Sequence, residues 1–104
     1  MLIEISYHKI DKTDAIDEHV HESVNHALHR FDQRLTRVEV HVGDHNADKA
    51  GPNDKRCLME ARPKGLGPIA VEHEGDDLYA VIKEAAKKLH RALERKLERH
   101  DEHR

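Results

Sequence analysis

His21-Glu22-Ser23-Val24-Asn25-His26 has the composition of a zinc-protease motif, but it is one residue too long. Two histidines four apart on a helix lie about 40° from each other around its axis; five apart, they lie about 140° apart and cannot face one ion. His19, Glu22, His26 and His29 do recur at steps of three and four, so an incidental zinc or nickel site and a polar helix face that uses histidine are both open. Cys57 stands alone, with no second cysteine near it and no helix start to lower its pKa, and it reads as a small buried residue. No Ser-His-Asp arrangement can be picked out, and the glycines of Gly65-Leu66-Gly67-Pro68 precede no helix, so they form no phosphate loop. These residues argue for no enzyme, no metal site and no cofactor.

The remaining chemistry is cationic. Lys83, Lys87, Lys88, Arg91, Arg95, Lys96 and Arg99 crowd one segment, against Glu84, Glu94 and Glu98. With Ile82 at the centre of the buried face, a 100° step sends Lys87, Lys88, Arg91 and Arg95 outward. Lys87, Arg91, Arg95 and Arg99 form one i, i+4 row, whose like charges repel by a few tenths of a kcal/mol per pair. Charge spacing alone leaves a solvated face and a phosphate-binding surface both open.

The chain has 104 residues and a formal net charge of −3, so these bases are a local excess on an acidic background. The length suits one domain with a modest core. One cysteine permits no disulfide framework, the first residues are too polar for a signal peptide, and no stretch has the apolar length of a membrane span. The expectation is a soluble cytoplasmic protein with no membrane partner.

Hydropathy supplies the elements that must hold those bases. Leu2 to Tyr7 alternates, as does Arg37 to Val42, with Val38, Val40 and Val42 on one side. Cys57 to Arg62 and Ile69 to Glu74 read as third and fourth strands. Ile16, Val20, Val24, Ala27, Leu28 and Phe31 mark one stripe of a helix over about 14–33, capped by Thr13. A second helix starts after Asp76 or Asp77, with Leu78, Ile82, Ala85, Ala86, Leu89, Leu93 and Leu97 on its stripe. Residues 43–54 read as an exposed loop and residues 100–104 as a frayed tail. The order β-α-β-β-β-α, with single-striped helices and single-faced strands, predicts an α+β domain over 1–104. Its two helices pack on one face of a four-stranded mixed sheet, and the open face carries Glu39, His41, Glu60, Arg62 and Glu72.

Glu74-Gly75-Asp76-Asp77-Leu78-Tyr79-Ala80, followed by the basic helix to Leu93, resembles the signature of the ribosome hibernation-promoting factors and ribosome-associated inhibitors. Thr13-Asp14-Ala15-Ile16, Arg30-Phe31-Asp32 and Val38-Glu39-Val40-His41-Val42 extend the similarity along nearly the whole chain. The resemblance implies a fold like the double-stranded-RNA-binding domain. It implies a non-enzymatic inhibitor that binds small-subunit ribosomal RNA in the path of messenger RNA and tRNA, with no cofactor and no small-molecule substrate. Lys87, Lys88, Arg91 and Arg95 would contact phosphates first, Lys83 and Arg99 next, and Arg30, Arg34 and Arg37 would form a second cluster. The chain departs from the family where exposed lysines are common on the first helix, since Ser23 and His26 stand there, and its 43–54 loop is longer than in the shortest members. No second domain of the kind that pairs ribosomes is expected, so the chain resembles the short form. Another structured-RNA binder and a protein-interaction or metal-handling domain are the competing classes.

Overall fold

The computed structural model describes residues 1–44 and 54–102; residues 45–53, most of the expected 43–54 loop, and the last two of the tail lie outside them. The order is β1 (Leu2–His8), α1 (Asp14–Leu28), a 3₁₀ segment (His29–Arg34), β2 (Leu35–Asp44), β3 (Lys55–Pro63), β4 (Ile69–Gly75) and α2 (Leu78–Glu102). The sheet runs β1-β2-β3-β4, with β1 parallel to β2 and the other pairs antiparallel. This is the expected α+β architecture, two helices on one side of a four-stranded mixed sheet.

Period-two alternation decides which side of the sheet is dry. Val38, Val40 and Val42 of β2 and Cys57, Met59 and Ala61 of β3 are all fully buried, and their register pairs Val40 with Met59 and Val42 with Cys57. Against them pack Ile16, Val20, Val24 and Leu28 from α1 and Val81, Ile82, Ala85, Leu89 and Leu93 from α2. The edge strands complete this layer only partly, with Ile3, Ile5, Tyr7, Ile69 and Val71 half-buried. The Tyr7 hydroxyl donates to Asp17 Oδ1 at 3.2 Å, and burial, then this carboxylate, push its pKa up to about 12.

Both helix starts are capped as their residues allow. Thr13 Oγ1 accepts from the Ile16 amide at 3.1 Å, and Asp77 Oδ1 accepts from the Tyr79 amide at 3.1 Å. Gly75 leaves β4 immediately before α2, where a Cβ would come within 2.9 Å of Val81 Cγ2, so the close approach of strand end and helix requires glycine. The β3–β4 turn closes with Leu66 N donating to Pro63 O at 3.3 Å, and Gly65 supplies the positive φ of 75° that its third position needs.

Three expectations are corrected. The first helix does not stay α-helical to 33: Leu28, at φ −112° and ψ 4°, breaks it, and the chain winds on as a 3₁₀ segment. The tighter winding still delivers Phe31 to the core and brings Asp32 to the amino terminus at 3.3 Å. Gly43 and Asp44, expected in the loop, belong to β2, while Asp54 is buried and accepts from Lys55 Nζ at 3.1 Å. The final helix continues to Glu102, past the point where the tail was expected to loosen.

Cys57 sits in the middle of the core, and burial pushes its thiol pKa up to about 12. The native protein is therefore expected to resist iodoacetamide at pH 8 and to react only once denaturant opens the core. Alkylation of the folded protein at the rate of free cysteine would contradict this placement.

Candidate nucleic-acid interface

The two helices lie side by side and run parallel. Contacts climb in step along α1, the 3₁₀ segment that follows it and α2: His19 meets Tyr79, His90 Nδ1 lies 2.7 Å from the Ala27 carbonyl oxygen, Arg30 pairs with Glu94 and Arg34 with Asp101. This seam fixes the rotation of α2, since Leu78, Ile82, Ala86, Leu89 and Leu93 must face inward and His90 and Glu94 must face α1. What remains outward on α2 is set by those constraints.

Lys83, Lys87, Arg91 and Arg95 are all exposed along the outer side of α2. Lys83, Arg91 and Arg95 have no hydrogen-bond or ion-pair partner among the described residues, and Lys87 makes only an exposed contact with Glu84 at 3.4 Å. An exposed pair of that kind contributes little, so its lysine is available to another anion. Arg99 stands exposed in the last turn of the same helix.

Lys88 is a correction. Its Nζ donates to the Glu72 carbonyl oxygen at 2.9 Å, so this half-buried lysine reaches back to the edge of β4 and does not point outward. The second expected cluster also separates. Arg30 bonds Glu94 Oε2 at 3.0 Å and lies over the Phe31 ring at 4.7 Å. Arg34 holds Asp101 with two bonds at 3.0 and 3.1 Å, a bidentate grip that raises the guanidinium pKa. Arg37 lies on the open sheet face, 3.4 Å from Glu4 and 3.2 Å from Glu39. Each of these three arginines already has a carboxylate partner, and none lies in α2's outward row.

The open sheet face is a lattice of compensated charge. Arg62 pairs with Glu39 at 3.2 Å and Glu60 at 2.8 Å, Arg56 pairs with Glu72, and His8 Nε2 lies 3.0 Å from His41 Nδ1 with the rings stacked. Such a surface offers no net positive field to a polyanion. Lys9, Lys12 and Lys64 are exposed singly outside the helices, so the uncompensated row of cations belongs to α2.

Between the helices lies a groove of about 270 Å³, lined by His19, Glu22, Ser23, His26 and Ala27 on one wall and Lys83, Ala86 and Lys87 on the other. The histidines of α1 are dispersed in role: His19 Nε2 lies 2.8 Å from the Tyr79 carbonyl oxygen, and His21 lies 3.7 Å from Asp17. Among the described residues no three His, Cys, Asp or Glu converge to hold a metal. Tyr79, 43% exposed and packed on His19 of the groove wall, was not singled out as a site residue by sequence reasoning. The signal was present, since Tyr79 precedes Lys83 and Lys87 by one and two helical turns and lies beside the apolar stripe.

The sequence matches the family described as Sigma 54 modulation protein / S30EA ribosomal protein over residues 3–101. No curated protein sequence matches it. Among solved structures, the fold is similar to the N-terminal domain of Protein Y from Thermus thermophilus, with a TM-score of 0.74 and 24% identity. That match covers 91% of this chain and 98% of the other. It is also similar to a ribosomal subunit interface protein from Coxiella burnetii, with a TM-score of 0.74, 17% identity, and coverage of 93% and 99%. Among the described residues no helix is long and apolar enough to cross a membrane.

Proposed function

Because the chain belongs to the Sigma 54 modulation protein / S30EA ribosomal protein family, a family of ribosome-associated hibernation and modulation factors, we propose that it binds the small ribosomal subunit and holds it idle. In this reading Lys83, Lys87, Arg91 and Arg95 contact phosphates of ribosomal RNA in the channel otherwise taken by messenger RNA and tRNA. Arg99 lies at the end of the same surface. Arg30, Arg34, Arg37 and Lys88 act indirectly, by fixing the seam, the sheet face and the edge of β4. The observation that carries the reading is the uncompensated row on α2, set against the pairing of nearly every other arginine described. The Coxiella protein's description as a ribosomal subunit interface protein supports the same partner. The reaction chemistry of an enzyme has no part in this role.

Co-sedimentation with purified small subunits tests it. Four phosphate contacts predict a fall in affinity of roughly fiftyfold or more between 50 and 200 mM salt. Messenger RNA and initiator tRNA should compete with the bound protein. Binding that ignores salt would overturn the phosphate contacts. Binding that survives both competitors would place the protein elsewhere on the subunit.

A further inference from the structure

The ribosome-binding reading leaves Tyr79 unused. It is one of two large hydrophobic side chains exposed among the described residues; the other, Leu2, points from β1 to the open sheet face. The two share no patch, so Tyr79 is not part of an apolar protein-docking surface. Its surroundings are cationic and polar instead. Lys83 and Lys87 follow it along α2, turned by about 40° and 80° around the axis, and Ser23 and His26 face those lysines across the groove.

The ring is also held in place. His19 packs against it with centroids 4.8 Å apart and planes at 60°, while His19 Nε2 lies 2.8 Å from the Tyr79 carbonyl oxygen. Asp77 Oδ1 fixes the Tyr79 amide. The ring therefore stands on a rigid helix start with one neighbour supporting it. Its hydroxyl has no hydrogen-bond partner among the described residues.

We propose that Tyr79, supported by His19, is a stacking platform for one unpaired nucleobase, with Lys83 and Lys87 holding the phosphates on either side of it. An exposed aromatic beside a row of cations is the combination that binds nucleotides whose bases are out of the helical stack. In A-form duplex RNA the base faces are covered by their neighbours, so a duplex offers Tyr79 nothing to stack on. Glu22, on the α1 wall, repels phosphate and keeps the backbone on the α2 side. The inference rests on the RNA-binding reading above and adds a preference for irregular RNA with at least one base turned out.

The test compares a short fluorescein-labelled single-stranded RNA, the same strand with one abasic position, and a blunt RNA duplex, each bound to the full chain at low salt. Tyr79→Ala should weaken single-strand binding roughly tenfold and leave duplex binding unchanged. Tyr79→Phe should retain the wild-type affinity. Tyr79→Leu makes the same comparison with the bulk preserved, should the alanine variant melt early. Equal loss for single strand and duplex, or no loss for either, would overturn the stacking role. Wild-type discrimination against the abasic strand supports it, and indifference to the missing base overturns it. Failure here would leave salt-dependent, competitor-sensitive binding to small subunits intact, so the two readings fail separately.

Discussion

Replacing Lys87, Arg91 and Arg95 together by glutamate should abolish binding to small ribosomal subunits, with affinity falling by about a thousandfold or more at moderate salt. On the proposed reading, each substitution would remove a phosphate contact and put a charge of the phosphate's own sign in its place. The effect exceeds that of alanine because the glutamates add to Glu84 and Glu98 on the same outward side. The fold should not notice. Lys87 has only its exposed contact with Glu84, and Arg91 and Arg95 have no partner among the described residues. The melting temperature should therefore stay within a few degrees of wild type. Arg34→Glu supplies the contrast, since it sets a carboxylate against Asp101 and should act on the seam between the helices before it acts on RNA. Retention of the triple variant on small subunits would remove α2 from the interface.

Leu89→Ala should be the most damaging simple truncation on α2. Leu89 is fully buried and belongs to the layer that seats α2 on the sheet. Losing its side chain costs transfer energy plus a cavity, about 2–5 kcal/mol. For a domain of this size that lowers the melting temperature by about 10 °C or more. The loss is a large part of the about 5–15 kcal/mol that holds small domains together. Thermal unfolding followed by circular dichroism reads it directly. A shift of only a degree or two would mean that α2 is not seated as described. Because the outward row is positioned by this packing together with the seam, the same variant should bind ribosomes more weakly as it approaches its melting temperature.

The strands and the stripes were legible in the sequence because both are local periods. Val38, Val40 and Val42 declare a strand within five residues, and Leu89, Leu93 and Leu97 declare a helical face within nine. The break at Leu28 was not legible, since Leu28 and Phe31 keep a step of three that an α-turn and a 3₁₀ turn share. The candidate site divides along the same line. The exposure of Lys83, Lys87, Arg91 and Arg95 follows from the stripe beside them. The engagement of Arg30 with Glu94 and of Arg34 with Asp101 joins residues more than sixty apart in sequence and depends on how the 3₁₀ segment and α2 are set against each other. Lys88 was misjudged for a related reason, because its angle on the wheel says nothing of a strand edge within reach of a long side chain.

The parallel setting of the helices has an electrostatic consequence. Antiparallel neighbours cancel their backbone macrodipoles, whereas these two add, placing partial positive charge at one end of the pair and partial negative charge at the other. The side chains oppose that sum. Asp14 and Asp17 occupy the first turn of α1, Asp77 caps α2, and Arg99 and His100 stand in the last turn of α2. Some of the cationic charge near the carboxyl end is therefore spent neutralising carbonyls. Only the bases set back from that end, around Lys83 to Arg95, present their full charge to an approaching polyanion.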